Sequence, residues 1–178
     1  MGKRKPWVWA AAAAALLLIA AIGLFQPAGQ MESVSPVEQI ELDYYRSSGD
    51  ISESSDEESV IREAIMLANR GESNQAIQLI DSTLNRVDHP LDRARLELNA
   101  GSILYNMARY SEAAQRFENI TDMDLSEEIL KERAFWYLGN AYFQMNRIEE
   151  AKQAFRQTYE FNGAYSRVAE RYLQSLPT

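Results

Sequence analysis

Apolar positions fall into three regimes along the chain. Trp7–Phe25 is a run of 19 residues without a charge. From Gln26 to about Glu58 the sequence shows no sustained period and ends in a Ser- and acid-rich stretch, Ser47 to Glu58. Beyond that, apolar residues recur at helical spacing, three and four apart. The pattern predicts helices near 58–70, 74–86, 91–107, 111–120, 127–145 and 149–161, with a seventh from about Ala164 to Leu176. Asn162-Gly163 is expected to end the sixth. Pro90 and Ser126 are placed to start the third and fifth. The predicted fold class is all-α.

As a helix, the first run would be roughly 28 Å long, close to the ~30 Å of bilayer hydrocarbon. Its alanines, Ala10–Ala15, are nearly neutral in lipid, so insertion rests on seven Leu, Ile and Phe residues between Leu16 and Phe25. At ~0.3–0.6 kcal/mol each they supply on the order of 2–4 kcal/mol, enough for one span. Lys3, Arg4 and Lys5 precede the run, and no Lys or Arg follows until Arg46. The positive-inside rule then places the N-terminus in the cytoplasm and everything after Phe25 outside it. The expected organisation is a basic cytoplasmic tail (1–6), a transmembrane helix (7–25), an acidic flexible tether (26–56) and a folded domain (57–178). The alternative for the apolar run is a cleaved signal peptide, with Ala21-Ile22-Gly23 offering small residues; the run exceeds the ~7–15 apolar residues usual there. Within the tether, Ile40, Leu42, Tyr44 and Tyr45 form an apolar patch suited to docking on the domain or on a partner.

The folded region repeats. Phe135-x-x-Leu138-Gly139-Asn140-x-Tyr142, followed by Ile148-x-x-Ala151-x-x-x-Phe155, is one helix, a turn at Asn146-Arg147 and a second helix, with Gly139 and Ala151 small enough for the two backbones to approach closely. Gly101, Leu104, Ala108, Tyr110, Ala113 and Phe117 repeat that grammar upstream. A third, weaker copy carries Ala64, Leu67, Gly71, Ala76 and Ile80. The alanines Ala76, Ala113 and Ala151 are 37 and 38 residues apart. This pattern resembles the tetratricopeptide repeat, whose unit is ~34 residues, so each junction carries a few extra. The resemblance covers roughly residues 57–176. It implies three helix pairs plus a C-terminal capping helix, which would cover the open face of the last pair. The ending Ala164-Tyr165-x-x-x-Ala169-x-x-x-Leu173 is loosely similar to that of bacterial membrane-linked proteins of this family. Proteins of this layout include ancillary translocon subunits and operon-linked assembly factors, which implies a bacterial inner-membrane location.

Such arrays work through the concave face lined by the first helix of each pair. By the resemblance, its outward positions are Ile61, Ile65 and Asn69; Arg95, Leu98, Ser102, Tyr105 and Asn106; and Arg133, Trp136, Asn140, Phe143 and Gln144. The second and third sets form a candidate peptide-binding groove, because amides bind an extended backbone, aromatics supply area and Arg can hold a carboxylate. The alternative is that Tyr105, Trp136 and Phe143 pack beneath neighbouring repeats. Ile61 and Ile65 stand where chaperone-binding members carry a carboxylate clamp.

Composition narrows the chemistry. The chain has no Cys and one His, His89, which excludes thiolate or His-pair metal sites, disulfides and lipoprotein acylation. His89 lies in a predicted turn with no nucleophile motif beside it, and no glycine-rich phosphate loop is present. The acidic cluster Asp122, Asp124, Glu127 and Glu128 lacks calcium-loop spacing and suits a helix N-terminus. A net charge of −8 argues against nucleic acid. That charge is polarised: +3 over residues 1–30, −8 over 31–59 and −3 over 60–178. No catalytic residues, cofactor or metal are expected. The reading is a non-enzymatic, membrane-anchored scaffold that binds a protein or peptide and helps assemble an envelope complex. Its alternatives are a fixed structural subunit of a membrane complex, whose Ala-rich span would pack against other spans, and a secreted repeat protein if the first helix is cleaved.

Overall fold

The computed structural model describes residues 34–42 and 56–177, which lie within one compact unit, Ser33–Thr178. The predicted transmembrane helix 7–25 and the patch residues Tyr44 and Tyr45 lie outside the described residues. Among the described residues there are seven helices and no strand: α1 (Asp56–Asn69), α2 (Ser73–Leu84), α3 (Pro90–Asn106), α4 (Tyr110–Thr121), α5 (Glu128–Gln144), α6 (Ile148–Glu160) and α7 (Ser166–Ser175). No helix among them is long and apolar enough to cross a membrane.

The turns within the three hairpins are built alike. After α1 the chain reverses through Gly71 (φ 83°), after α3 through Ala108 (φ 58°) and after α5 through Asn146 (φ 58°). These positions are 37 and 38 residues apart, the spacing of the alanines. In each turn the next amide reaches back five residues: Glu72 to the Leu67 carbonyl, Arg109 to Leu104 and Arg147 to Tyr142, all at 2.9 Å. Carbonyls left over at the helix end are thereby satisfied, as a left-handed C-terminal cap allows. The amide of the alanine five residues beyond each turn position then bonds back into the start of the second helix, Ala76 to Glu72, Ala113 to Arg109 and Ala151 to Arg147.

Helix contact requires small residues at fixed places. A Cβ on Gly101 would lie 2.5 Å from the Phe117 ring, and one on Gly139 would lie 2.6 Å from the Phe155 ring. Both rings are fully buried. Each helix packs on the next along the chain, and the first helices also approach one another, α1 with α3 and α3 with α5. The second helices make no comparable approach, so the layer of first helices lines the inner, concave side. α7 packs on α6 and closes the end of the stack.

One junction differs from expectation, and another carries an additional contact. Pro90 opens α3 at its first turn, but the residue preceding α5 is Glu127, not Ser126. Asn162 takes the left-handed conformation after α6 (φ 52°), so the helix ends at Asn162-Gly163 as expected, and Gly163 has a further role. A side chain on Gly163 would collide with the Glu132 carboxylate. That carboxylate is buried and accepts the amide protons of Ala164 at 3.1 Å and Tyr165 at 2.7 Å, which fixes the α6–α7 junction. A second buried acid, Glu97, accepts Arg116 (3.1 Å) and Asn119 (3.0 Å), while Arg116 also reaches Asp81 at 2.7 Å. One guanidinium thus ties α2, α3 and α4 together. Such a pair is costly to break, because removing either partner leaves a desolvated charge.

Candidate functional site: a groove holding an extended chain

Residues 34–42 form no helix or strand. They lie along the inner helices, so this part of the expected tether is packed on the domain, with Ile40 and Leu42 of the apolar patch docked there. Ile40 is 3% exposed, and Val34, Val37 and Leu42 are partly buried against the core. Glu38, Gln39 and Glu41 are exposed. The segment follows the stack backwards, from α7 to α5 to α3.

Five side chains hold it, and every bond ends on its main chain. On α7, the Tyr172 hydroxyl donates to the Ser35 carbonyl at 2.7 Å. On α5, Asn140 Oδ1 accepts the Val37 amide at 3.0 Å, and Gln144 Nε2 donates to the Val37 carbonyl at 3.1 Å. The Tyr105 hydroxyl on α3 donates to that same carbonyl, and Gln144 also reaches the Tyr105 oxygen at 3.3 Å. Asn106 makes a two-point clamp: its Oδ1 accepts the Ile40 amide at 2.7 Å and its Nδ2 donates to the Ile40 carbonyl at 2.8 Å.

Two of these groups are also held by contacts within the helical domain. Asn140 is fully buried and spends its Nδ2 on the Trp136 carbonyl one turn back (2.9 Å), leaving Oδ1 to face the Val37 amide. The Tyr105 ring packs edge-on against Tyr110, with centroids 5.0 Å apart. Burial pushes the Tyr105 hydroxyl up to about 12, and burial likewise raises that of Tyr172. Both phenols therefore stay protonated donors throughout the physiological range. Neutral amides and protonated phenols suit recognition of a peptide backbone. They offer neither a general base nor a nucleophile at neutral pH.

The candidate residues divide in the structure. Tyr105, Asn106, Asn140 and Gln144 converge on the segment. Phe143 is half-buried and meets Tyr172 edge-on, centroids 6.3 Å apart. Trp136, expected on the groove surface, is buried instead: its ring is stacked on Tyr165 and also contacts Phe155 and Tyr172, with centroids 5.1–5.6 Å away. Leu98 and Ser102 are buried, and the Ser102 hydroxyl bonds to the Leu98 carbonyl of its own helix. Arg95 pairs with Asp92 (3.7 Å) and Glu127 (3.5 Å), and Arg133 is half-buried on α5. In the first set, Ile61 is buried, Ile65 half-buried and Asn69 exposed.

Sequence reasoning missed Tyr172, whose position on the apolar stripe of α7 marks it only as a capping residue. His89 is exposed beside Asp92, 3.2 Å away. Among the described residues no group of three or more His, Asp or Glu could hold a metal ion. No protein-family model, curated protein or solved structure matches this chain.

Proposed function

We propose that the protein is a non-enzymatic interaction scaffold of the tetratricopeptide type, anchored by residues 7–25 and displaying its helical domain outside the cytoplasm. There it binds an extended protein segment and helps assemble or stabilise an envelope complex. One observation carries the reading: the face chosen for peptide binding holds an extended chain through main-chain hydrogen bonds from Tyr105, Asn106, Asn140 and Gln144. The three alike turns and the two glycine–phenylalanine contacts support the repeat assignment.

The test is recovery of the full-length chain from its native membrane in mild detergent, with intact mass of the product. A mass including Met1–Phe25 and a stoichiometric partner are expected. The partner should be lost from Asn106→Ala/Gln144→Ala while the helical signal is kept. Partner recovery indifferent to that double substitution would remove the groove from the function.

A further inference from the structure

The segment Val34–Leu42 lies where the proposed function puts a partner, and this inference rests on that reading. Several features distinguish the segment from an ordinary packed loop. The groove hydrogen-bonds main chain at residues 35, 37 and 40 and no side chain of the occupant, and Ser35, Glu38, Gln39 and Glu41 are exposed. Ile40 alone is almost fully enclosed. The spacing is set by the scaffold. Val37 is held chiefly from α5 and Ile40 from α3, and three residues of extended chain advance about 10 Å. Packed helices lie about 8–10 Å apart, so a three-residue step stays in register with the stack. Finally, the segment belongs to no helix and is joined to α1 through residues 43–55. Its departure would break no helical hydrogen bond.

We propose that Val34–Leu42 is an internal ligand of the groove, standing in for an extended partner segment of the form apolar-x-x-aliphatic. Ile40 marks the aliphatic anchor, and both apolar positions must carry an amide proton, which excludes proline there. Pro36 directly before the first of them restricts Ser35 to extended conformations, which lowers the ordering cost of the internal copy. A partner binds by displacing this copy. Because the segment is part of the same chain, its rebinding is intramolecular, so a free peptide of the same sequence competes poorly with it. Disabling the internal copy raises the fraction of competent groove, and apparent affinity rises in proportion.

The experiment uses the full-length chain in detergent and a fluorescent nine-residue peptide with the sequence of Val34–Leu42, read by anisotropy. Ile40→Asp is expected to bind the peptide at least about tenfold more tightly than the unsubstituted chain. Asn106→Ala added to Ile40→Asp should abolish that gain, and a peptide with Asp at the Ile40 position should not bind. Val37→Pro, which deletes the amide proton donated to Asn140, should open the groove as Ile40→Asp does. Equal affinity for the unsubstituted and opened chains overturns the proposal, as does absence of binding to an opened chain with intact helical signal. Loss of helical signal in both opening variants also overturns it, since the segment would then be part of the fold. If the peptide fails but partner recovery still depends on Asn106 and Gln144, only this inference falls. If the peptide binds the opened chain but no groove-dependent partner is recovered, the scaffold reading falls and the internal ligand stands.

Discussion

Where α3–α4 and α5–α6 set a glycine against a phenylalanine ring, α1–α2 carries Ala64 and Ile80 at the equivalent positions, both fully buried. The extra methyl on the first helix is matched by a narrower side chain on the second, so total volume is conserved while its division changes. The same first pair differs on its inner face. It presents Ile61 and Ile65 where the other two present Leu98 and Ser102, and Trp136 and Asn140. The polar groups that hold the extended segment come from α3, α5 and α7. Closing a helix hairpin needs only matched volumes, whereas reading a peptide backbone needs oriented donors and acceptors. The latter belong to the second and third pairs and the cap.

The strongest way to break that comparison is through the aromatic cluster of the third pair, which the first pair lacks. Trp136→Ala should cost about 3–5 kcal/mol in denaturant unfolding of the full chain, because the site is enclosed by three other rings. An unchanged unfolding midpoint would show that the tryptophan is a surface residue after all.

Alkali should discriminate next. The Tyr105 and Tyr142 hydroxyls are both pushed up to about 12, chiefly by burial, Tyr142 also by the Glu118 carboxylate it bonds. A folded value above the unfolded one means the contribution is fully present below about pH 10 and is lost as pH rises toward about 12. Neither α1 nor α2 contains a tyrosine. Between pH 10 and 12, hydrogen exchange should therefore accelerate in α3 and α5 before α1 and α2. Simultaneous loss would mean the stack unfolds as one unit.

The volume argument is sharpened by a cycle. Gly139→Ala gains about 1 kcal/mol of helix propensity but forces a methyl into a buried ring, at about 1–3 kcal/mol. The net should be a loss of up to about 2 kcal/mol. Adding Phe155→Ile, which recreates the pairing of the first hairpin, should recover part of that loss. Additive effects in the four proteins of the cycle would contradict coupled packing.

Smallest are the turn exchanges. Gly71 has nothing within 4 Å of a would-be Cβ, so Gly71→Ala should cost only the left-handed strain, about 1 kcal/mol. Ala108 bears that strain already and is exposed, so Ala108→Gly should stabilise by up to about 1 kcal/mol. Melting temperatures moving in the same direction for both would show that the two turns are not equivalent.

All seven helices were legible from periodicity, to within about two residues at most ends, because burial on one face forces a helical period on the sequence. The turn at Asn146 and the small residues Gly101 and Gly139 were legible too, since backbone reversal and close approach admit few residue types. Less local features were not. Ser126 looked like a cap because its type favours that place, but capping depends on where the chain enters the helix. Gly163 follows the helix stop as read, but that its size is also required by Glu132, 31 residues away, was not legible. Tyr105, Asn106, Asn140 and Gln144 were placed on one face by the resemblance to the tetratricopeptide repeat. That Trp136 on the same face is enclosed depends on Tyr165 and Tyr172, which α7 brings over it.

What the sequence determined by itself was therefore one-dimensional: helix periods, the 37- and 38-residue recurrence, and the choice of small residues where backbones meet. Each is a local constraint, felt within a turn or one hairpin. Only the tertiary structure decided what fills the groove. Residues 34–42 have no periodicity, the apolar patch at Ile40 and Leu42 suggests docking without saying where, and the hold comes from main-chain groups that every sequence possesses. The partners lie 66 to 137 residues away along the chain. They become neighbours only when stacking brings α3, α5 and α7 side by side.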